Sequence, residues 1–391
     1  MPWREVSVME QRREFVRLAQ AEGVNRRELC ERFGISRETG YKWLRRWAEG
    51  DAALGDRCRR PHVSPGRSAA EIEAGVLAVR AAHPAWGARK IVRCLERAGL
   101  AAPSASTVHA ILVRHGQVVK PGGAPGQAYQ RFERDAPNQL WQMDFKGPVP
   151  LMGGVRCHSL TIIDDHSRYA PCLEACANQQ SETVQGHLQR TFRRYGLPDA
   201  MFVDNGSPWG DPSGGRWTRL GVWLLKLGVD LWHSRPYHPQ SRGKNERFHR
   251  TLAAEVFAFQ RFPDLAATQR AFDRWREIYN CERPHEAIGQ QPPISRYRPS
   301  ARAMPEQLPD VEYDCSDIVR RVPLTKDYIS FKGRLWKVPQ AFRGESLAIR
   351  QRGPDGHYGV FFGARHIATI NLTTNQCVSD VPEQVSAISP G

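Results

Sequence analysis

Over 25–47 and again over 67–117 apolar residues return at helical intervals, and polar residues between them can serve as caps. Asn25 to Glu28 has the spacing of a capping box, followed by Leu29 and Phe33 on one face. Gly34 can end that helix, and Ser36 can cap the next, which runs to Trp47. Gly40, Leu44 and Trp47 repeat at i, i+4, i+7 and are expected to pack inward. Arg37, Tyr41 and Arg45 then form an outer stripe, with Lys42 and Arg46 beside it. A second trio is predicted over 69–82, 87–98 and 104–115. Val108, Ile111 and Leu112 are its inward face, and Arg89, Lys90, Arg93 and Arg97 its outward candidates.

Beyond residue 136 the period changes. Apolar runs near 139–147, 155–165 and 168–175 predict an antiparallel meander, followed by a helix from Ser181 to Tyr195. Strands at 199–204 and 229–234 flank a helix over 218–227. A long helix opens after Pro239, and another spans about 265–281. Residues 310–375 hold short strands split by Lys332-Gly333 and Gly353 to Gly356, which predicts a small β-barrel. The expected organisation is multidomain. Helix-turn-helix modules occupy 1–50 and 67–117, with a basic linker at 51–66 and a second linker at 118–135. A mixed-sheet α/β domain covers 136–300, a small β-barrel 301–381, and a disordered tail 382–391.

Charge narrows the partner. The chain has 56 Lys+Arg against 41 Asp+Glu, a net +15, which is a footprint for polyanion binding. Both helical units are therefore read as double-stranded DNA modules, with Arg59 and Arg60 in the basic linker as a minor-groove arm. The nine cysteines are scattered without a CxxC pair, which implies neither a disulfide framework nor a thiolate zinc site. No apolar run reaches spanning length and no signal peptide opens the chain, so a cytoplasmic, bacterial protein without a membrane partner is expected.

Three carboxylates carry the chemistry. Asp144 lies in LWQMDF and Asp204 in MFVDNGSP, both at apolar runs read as buried strands, while Glu246 lies on the helix after Pro239. Brought to one point, each like-charge pair would cost about 4 kcal/mol at ~4 Å and an effective dielectric of about 20. Such a cluster makes sense only with a divalent cation, and hard oxygen ligands favour Mg²⁺ or Mn²⁺. Asp164 and Asp165, which precede His-Ser-Arg, read instead as a turn, and Glu255 as surface charge half a turn away from Glu246.

The three acidic contexts occur in order with Ile163 to Tyr169, His238 to Gly243, and Tyr279-Asn280 through Arg283 to Gly289. In that combination the chain resembles the insertion-sequence transposases of the DDE superfamily, whose catalytic core is similar to retroviral integrase. The resemblance implies a ribonuclease-H-like core with Asp144, Asp204 and Glu246 as catalytic and metal-binding residues, and as partners the element ends, target DNA, further copies of the chain in a homo-multimer and, as an optional addition, an accessory ATPase. It also brings Gln240, Ser241, Lys244, Asn245 and Arg250 toward terminal nucleotides. The stretch 205–245 is longer than the family commonly has, which fits a loop insertion around 209–215.

The expected reaction is hydrolysis that exposes a 3′-OH, then in-line attack of that hydroxyl on target DNA, with two Mg²⁺ clamping the phosphate. A metal-dependent nuclease on the same fold and a non-catalytic transposase-derived repressor are the alternatives. A tyrosine recombinase has little support, because His187 to Arg190 alone matches its His-x-x-Arg element.

Overall fold

The computed structural model describes residues 7–51, 54–57, 67–118, 133–210, 217–234 and 243–379. Arg59, Arg60, Gln240, Ser241, most of the second linker and the expected tail lie outside the described residues. Two compact units divide the chain, the first ending at Ser68.

The first unit is trihelical: α1 (Val8–Ala19), α2 (Arg26–Arg32) and α3 (Arg37–Ala48). The sequence pattern missed α1, although Ser7 and Glu10 form a complete capping box at its start. Phe15, Val16, Ala19, Leu29, Cys30 and Trp43 make the core. Gly40 lets α3 approach α1, since a Cβ there would fall 2.5 Å from Cys30 Sγ and 2.9 Å from Phe15. Gly34 ends α2 at a positive φ of 64°, as expected. The inward face of α3 differs from expectation. Trp43 is buried and Trp47 is 36% exposed, because the indole at i+3 from Gly40 offers the larger surface to bury.

The second unit opens with α4 (Ala70–Ala82), α5 (Ala88–Arg97) and α6 (Ala105–Arg114), packed through Val76, Ile91, Leu95, Val108, Ile111 and Leu112. A mixed sheet follows. Its strands are β1 (Leu140–Pro150), β2 (Arg156–Asp164), β3 (Cys172–Cys176), β4 (Ala200–Val203) and β5 (Asp230–His233), in the order β3-β2-β1-β4-β5. The first three form an antiparallel meander, and β4 and β5 run parallel to β1.

Side-chain alternation along β1 decides what covers each face. Trp141, Met143 and Phe145 enter a core with α7 (Ser181–Tyr195) and α8 (Arg219–Lys226). Leu140, Gln142 and Asp144 point to the other face. There Ile163, Leu173 and neighbours pack on α9 (Gly243–Leu252) and α10 (Leu265–Glu277). Both helices end in a π-turn, Ala253–Phe257 and Ile278–Glu282, where single continuous helices were expected.

The C-terminal part is a five-stranded sheet, β12-β11-β10-β9-β6, beside a β7–β8 hairpin. The strands are β6 (Ile318–Arg321), β7 (Tyr328–Phe331), β8 (Arg334–Lys337), β9 (Ser346–Gln351), β10 (His357–Phe362), β11 (Arg365–Asn371) and β12 (Gln376–Ser379). Its hydrogen-bonded ladder ends at β6 and β12 among the described residues, and the hairpin lies near both edges, β7 beside β6 and β8 beside β12. Trp217, Val222 and Leu225 join its core, while Leu220, Trp223 and Leu224 join the core of the mixed sheet. Helix α8 is thus apolar on two sides and fastens the two sheets together.

Candidate active site

Asp144 and Asp204 are set by strand register. Leu140, Trp141 and Gln142 pair in parallel with Ala200, Met201 and Phe202. Continued two residues further, the same register brings Asp144 level with Asp204, which immediately follows β4. Leu140, Ala200 and Phe202 share one small cluster, so both aspartates belong to the same face. Adjacent strands lie about 4.8 Å apart.

The backbone at Asp204 is laced to β5. His233 Nδ1 donates to the Asp204 carbonyl at 3.0 Å, and Ser234 N–H donates to Val203 O at 2.9 Å. The Asp204 side chain accepts from Gly206 N–H at 2.9 Å. In the turn beyond it, Gly210 is required by space, since a Cβ would fall 2.2 Å from Asn205 O. Trp209 is buried against Phe145 and Trp217 against Phe342, which makes both packing residues.

Glu246 lies exposed in the first turns of α9, on the side of the sheet that carries both aspartates. Lys244, expected to face DNA, is drawn inward to Asp165, and burial pulls its ammonium down to about 8 with Asp165 opposing. Asn245 is buried and its Oδ1 has no hydrogen-bond partner among the described residues. Arg250 is exposed. Among the described residues no three His, Cys, Asp or Glu side chains gather as a metal-binding group. The β1–β4 pairing ends at Gln142 and Phe202, so Asp144 and Asp204 each lie two residues beyond it, and Glu246 lies on the helix packed on that face. This all-oxygen carboxylate set has the donor chemistry of Mg²⁺ or Mn²⁺.

Asp164 and Asp165 form the expected turn, but they are fully buried and more than turn formers. Asp164 accepts from Asn138 N–H, Ser167 N–H and Ser167 Oγ at 2.6–2.7 Å, while burial pushes its carboxyl up. Asp165 accepts from Arg134 N–H at 2.9 Å and Gln142 Nε2 at 2.7 Å as well as from Lys244. Asp165 therefore ties α9 to β1 on the Asp144 face. Local spacing could not reveal that role, because its partners lie far along the chain.

The nucleic-acid candidates separate into two groups. Arg37, Tyr41, Lys42 and Arg45 are exposed on α3. Arg46 is not: its side chain is 7% exposed, pairs with Asp51 and donates to Gly55 O at 2.7 Å. That corrects its place beside the outer stripe. On α5, Arg89 meets Glu286 at 2.6 Å and Arg97 donates to Glu282 O at 2.8 Å. Burial pulls Lys90 down to about 8, with Arg283 adding to the effect. The middle helix of the second module thus faces the core, where an outward face was expected.

Similarity to known proteins agrees with this division. An integrase core domain model matches residues 134–239, and a second one 227–293. The C-terminal domain model of the IS481 family transposases matches 317–377. By these matches the chain is similar to the insertion-sequence transposases with an integrase-like core. A helix-turn-helix domain model matches residues 11–62 of the chain, and a homeodomain-like model 39–112.

Among relatives, an uncharacterized 31.7 kDa protein of insertion element IS407 from Burkholderia multivorans is 26% identical over 218 residues. That alignment covers 55% of this chain and 72% of the relative. A 39.2 kDa protein of insertion element IS476 from Xanthomonas euvesicatoria is 26% identical over 43% of this chain and 46% of its own length. The Gag-Pol polyprotein of baboon endogenous virus is 27% identical over 43% of this chain and 10% of its own length. A simian T-cell lymphotropic virus intasome chain, solved with a PP2A regulatory subunit, covers 79% of this chain at 14% identity. The TM-score is 0.37, and the whole of that chain is covered. No helix among the described residues is long and apolar enough to cross a membrane.

Proposed function

We propose that the protein is a transposase that binds the ends of its element, exposes their 3′-OH groups and joins them to target DNA. The observation that carries the proposal is the parallel register that sets Asp144 level with Asp204 on one face of the sheet, beneath the helix that bears Glu246. Asp144, Asp204 and Glu246 would hold divalent metal, Mg²⁺ or Mn²⁺, two ions per site. When bound, the metal supplies charge neutralisation at the scissile phosphate and lowers the pKa of a nucleophilic water.

The protein's own part is to hold rigid carboxylates and to bring DNA to them. Strand β1 would carry Asp144 and the end of β4 would present Asp204 immediately beyond it, which would keep the reorganisation cost low. The outer stripe of α3, Arg37, Tyr41 and Arg45, would enter a major groove of the element end, and Arg250 would follow the backbone near Glu246. Pairing two ends requires at least two copies, so the working form is a homo-multimer on DNA.

The test is joining of a labelled, pre-cleaved inverted-repeat duplex to plasmid in Mg²⁺ or Mn²⁺, with Asp204→Asn in parallel. Metal-dependent joining that the variant lacks supports the proposal. Joining by the variant at the wild-type rate overturns it.

A further inference from the structure

Glu246 is exposed, so its position is inherited from whatever holds α9 in place. Two side-chain tethers do so, one on each side of it. Lys244, two residues earlier, reaches Asp165, which also accepts from Gln142 Nε2 on the Asp144 face of β1. His249 is three residues later, about 60° around the helix from Glu246. Its Nε2 lies 2.8 Å from Thr161 Oγ1, and Thr161 Oγ1 lies 2.9 Å from the Asp144 carbonyl. Thr161 is also the residue directly opposite Asp144 in the β1–β2 ladder.

Proton counting fixes the direction of this relay. A threonine hydroxyl has one proton, and a carbonyl can only accept. Thr161 therefore donates to Asp144 O, and its oxygen accepts from His249 Nε2–H. The imidazole is thus held as a donor, and both partners sit at the height of Asp144.

We propose that His249 is a positioning residue of the reaction: acting through Thr161, it sets α9 on β1 so that Glu246 and Asp144 serve one site. The inference rests on the reading of Asp144, Asp204 and Glu246 as a shared metal site. The Lys244–Asp165 tether fixes where the helix begins, and the His249–Thr161 bond fixes its rotation one turn later. Groups of this kind behind carboxylate ligands commonly affect metal affinity or activity 10–100-fold.

The experiment compares full-length wild type, His249→Ala, His249→Gln, Thr161→Val and the His249→Ala/Thr161→Val double variant. Mn²⁺ binding is read by electron paramagnetic resonance, joining by gel, and folding by thermal melts without metal. His249→Ala is expected to weaken both Mn²⁺ binding and joining by about 10–100-fold while it still melts cooperatively. His249→Gln, which keeps an N–H donor, is expected to recover most of the loss. The double variant should lose no more than the worse single variant. Wild-type Mn²⁺ affinity and joining in His249→Ala, beside loss in Asp204→Asn, would overturn this inference alone. Joining by Asp204→Asn would overturn the metal-site reading and this inference with it.

Discussion

Glu255 and Arg283 form an ion pair that is almost closed to solvent, with Nε 2.9 Å from Oε1 and side-chain exposures of 8% and 9%. Trp275 Nε1 donates to the second Glu255 oxygen at 2.9 Å, so both carboxylate oxygens are engaged. The pair joins the π-turn that ends α9 to the residue that caps the π-turn after α10. Removing one partner leaves a buried charge, which typically costs about 3–5 kcal/mol, whereas replacing both with apolar residues often costs little. Arg283→Met should therefore unfold at markedly lower urea concentration, and Glu255→Met/Arg283→Met should recover much of the loss. Equal losses in the single and double variants would refute the buried-pair account.

This pair also shows what local sequence spacing cannot show. Glu255 read as surface charge because an ideal helix turns it half a revolution from Glu246. Its partners Trp275 and Arg283, and the π-turn in which it sits, depend on a helix packed far along the chain. Elements carried by strong local signals were legible. The three helices of the second module, the meander and the Ser181–Tyr195 helix stand within a few residues of expectation. Strand β6, every residue of which is exposed, and the short β12 lacked apolar alternation and were missed. At the candidate site, Asp144 and Asp204 were singled out from their motifs alone. Their common height required the parallel register, which only the assembled sheet supplies.

Glu286 accepts Arg89 from α5 at 2.6 Å and Arg247 from α9 at 3.3 Å, with about half of its side chain exposed. Exposed pairs of this sort contribute roughly 0.2–1 kcal/mol each. Glu286→Gln should leave the melting of the core nearly unchanged. Amide hydrogen exchange over 88–97 should accelerate, because the second module loses one of its charged contacts with the core. A large fall in global stability without faster exchange in that helix would show that the contact is integral to the fold.

His285 is held neutral. Burial is the main cause, and Arg283, Lys90, Arg168 and Arg247 add positive charge around it, pulling its pKa from 6.5 to about 2. The unfolded chain takes up this proton as pH falls through about 6.5, whereas the folded chain resists it until about 2. Between those values the unfolded state binds more protons, so acid favours unfolding, and the contribution to stability is complete only above about 6.5. Wild type should therefore lose more melting temperature between pH 7.5 and 5.5 than His285→Gln. Parallel losses in the two proteins would show that another group governs acid sensitivity.

Arg45 and Arg46 are adjacent on α3 but should fail differently. The Arg45 side chain is 74% exposed and only loosely opposed by Glu49 at 4.0 Å. Arg46 is 7% exposed, is held by Asp51 and Gly55 O, and lies 4.8 Å from the centre of the Trp43 ring. If α3 enters the groove, Arg45→Ala removes a cation from the DNA face without touching the core. Each phosphate contact contributes about −0.9 to the slope of log K against log salt, so that slope should flatten by about one while the melting temperature holds. Arg46→Ala leaves the Gly55 carbonyl without its donor and Asp51 with only the longer Arg57 contact at 3.6 Å, so the first unit should melt earlier. DNA binding by its remaining folded fraction should keep the wild-type slope. Salt titrations by fluorescence anisotropy on an element-end duplex, paired with thermal melts, separate the two. An unchanged slope in Arg45→Ala would remove α3 as the reading helix.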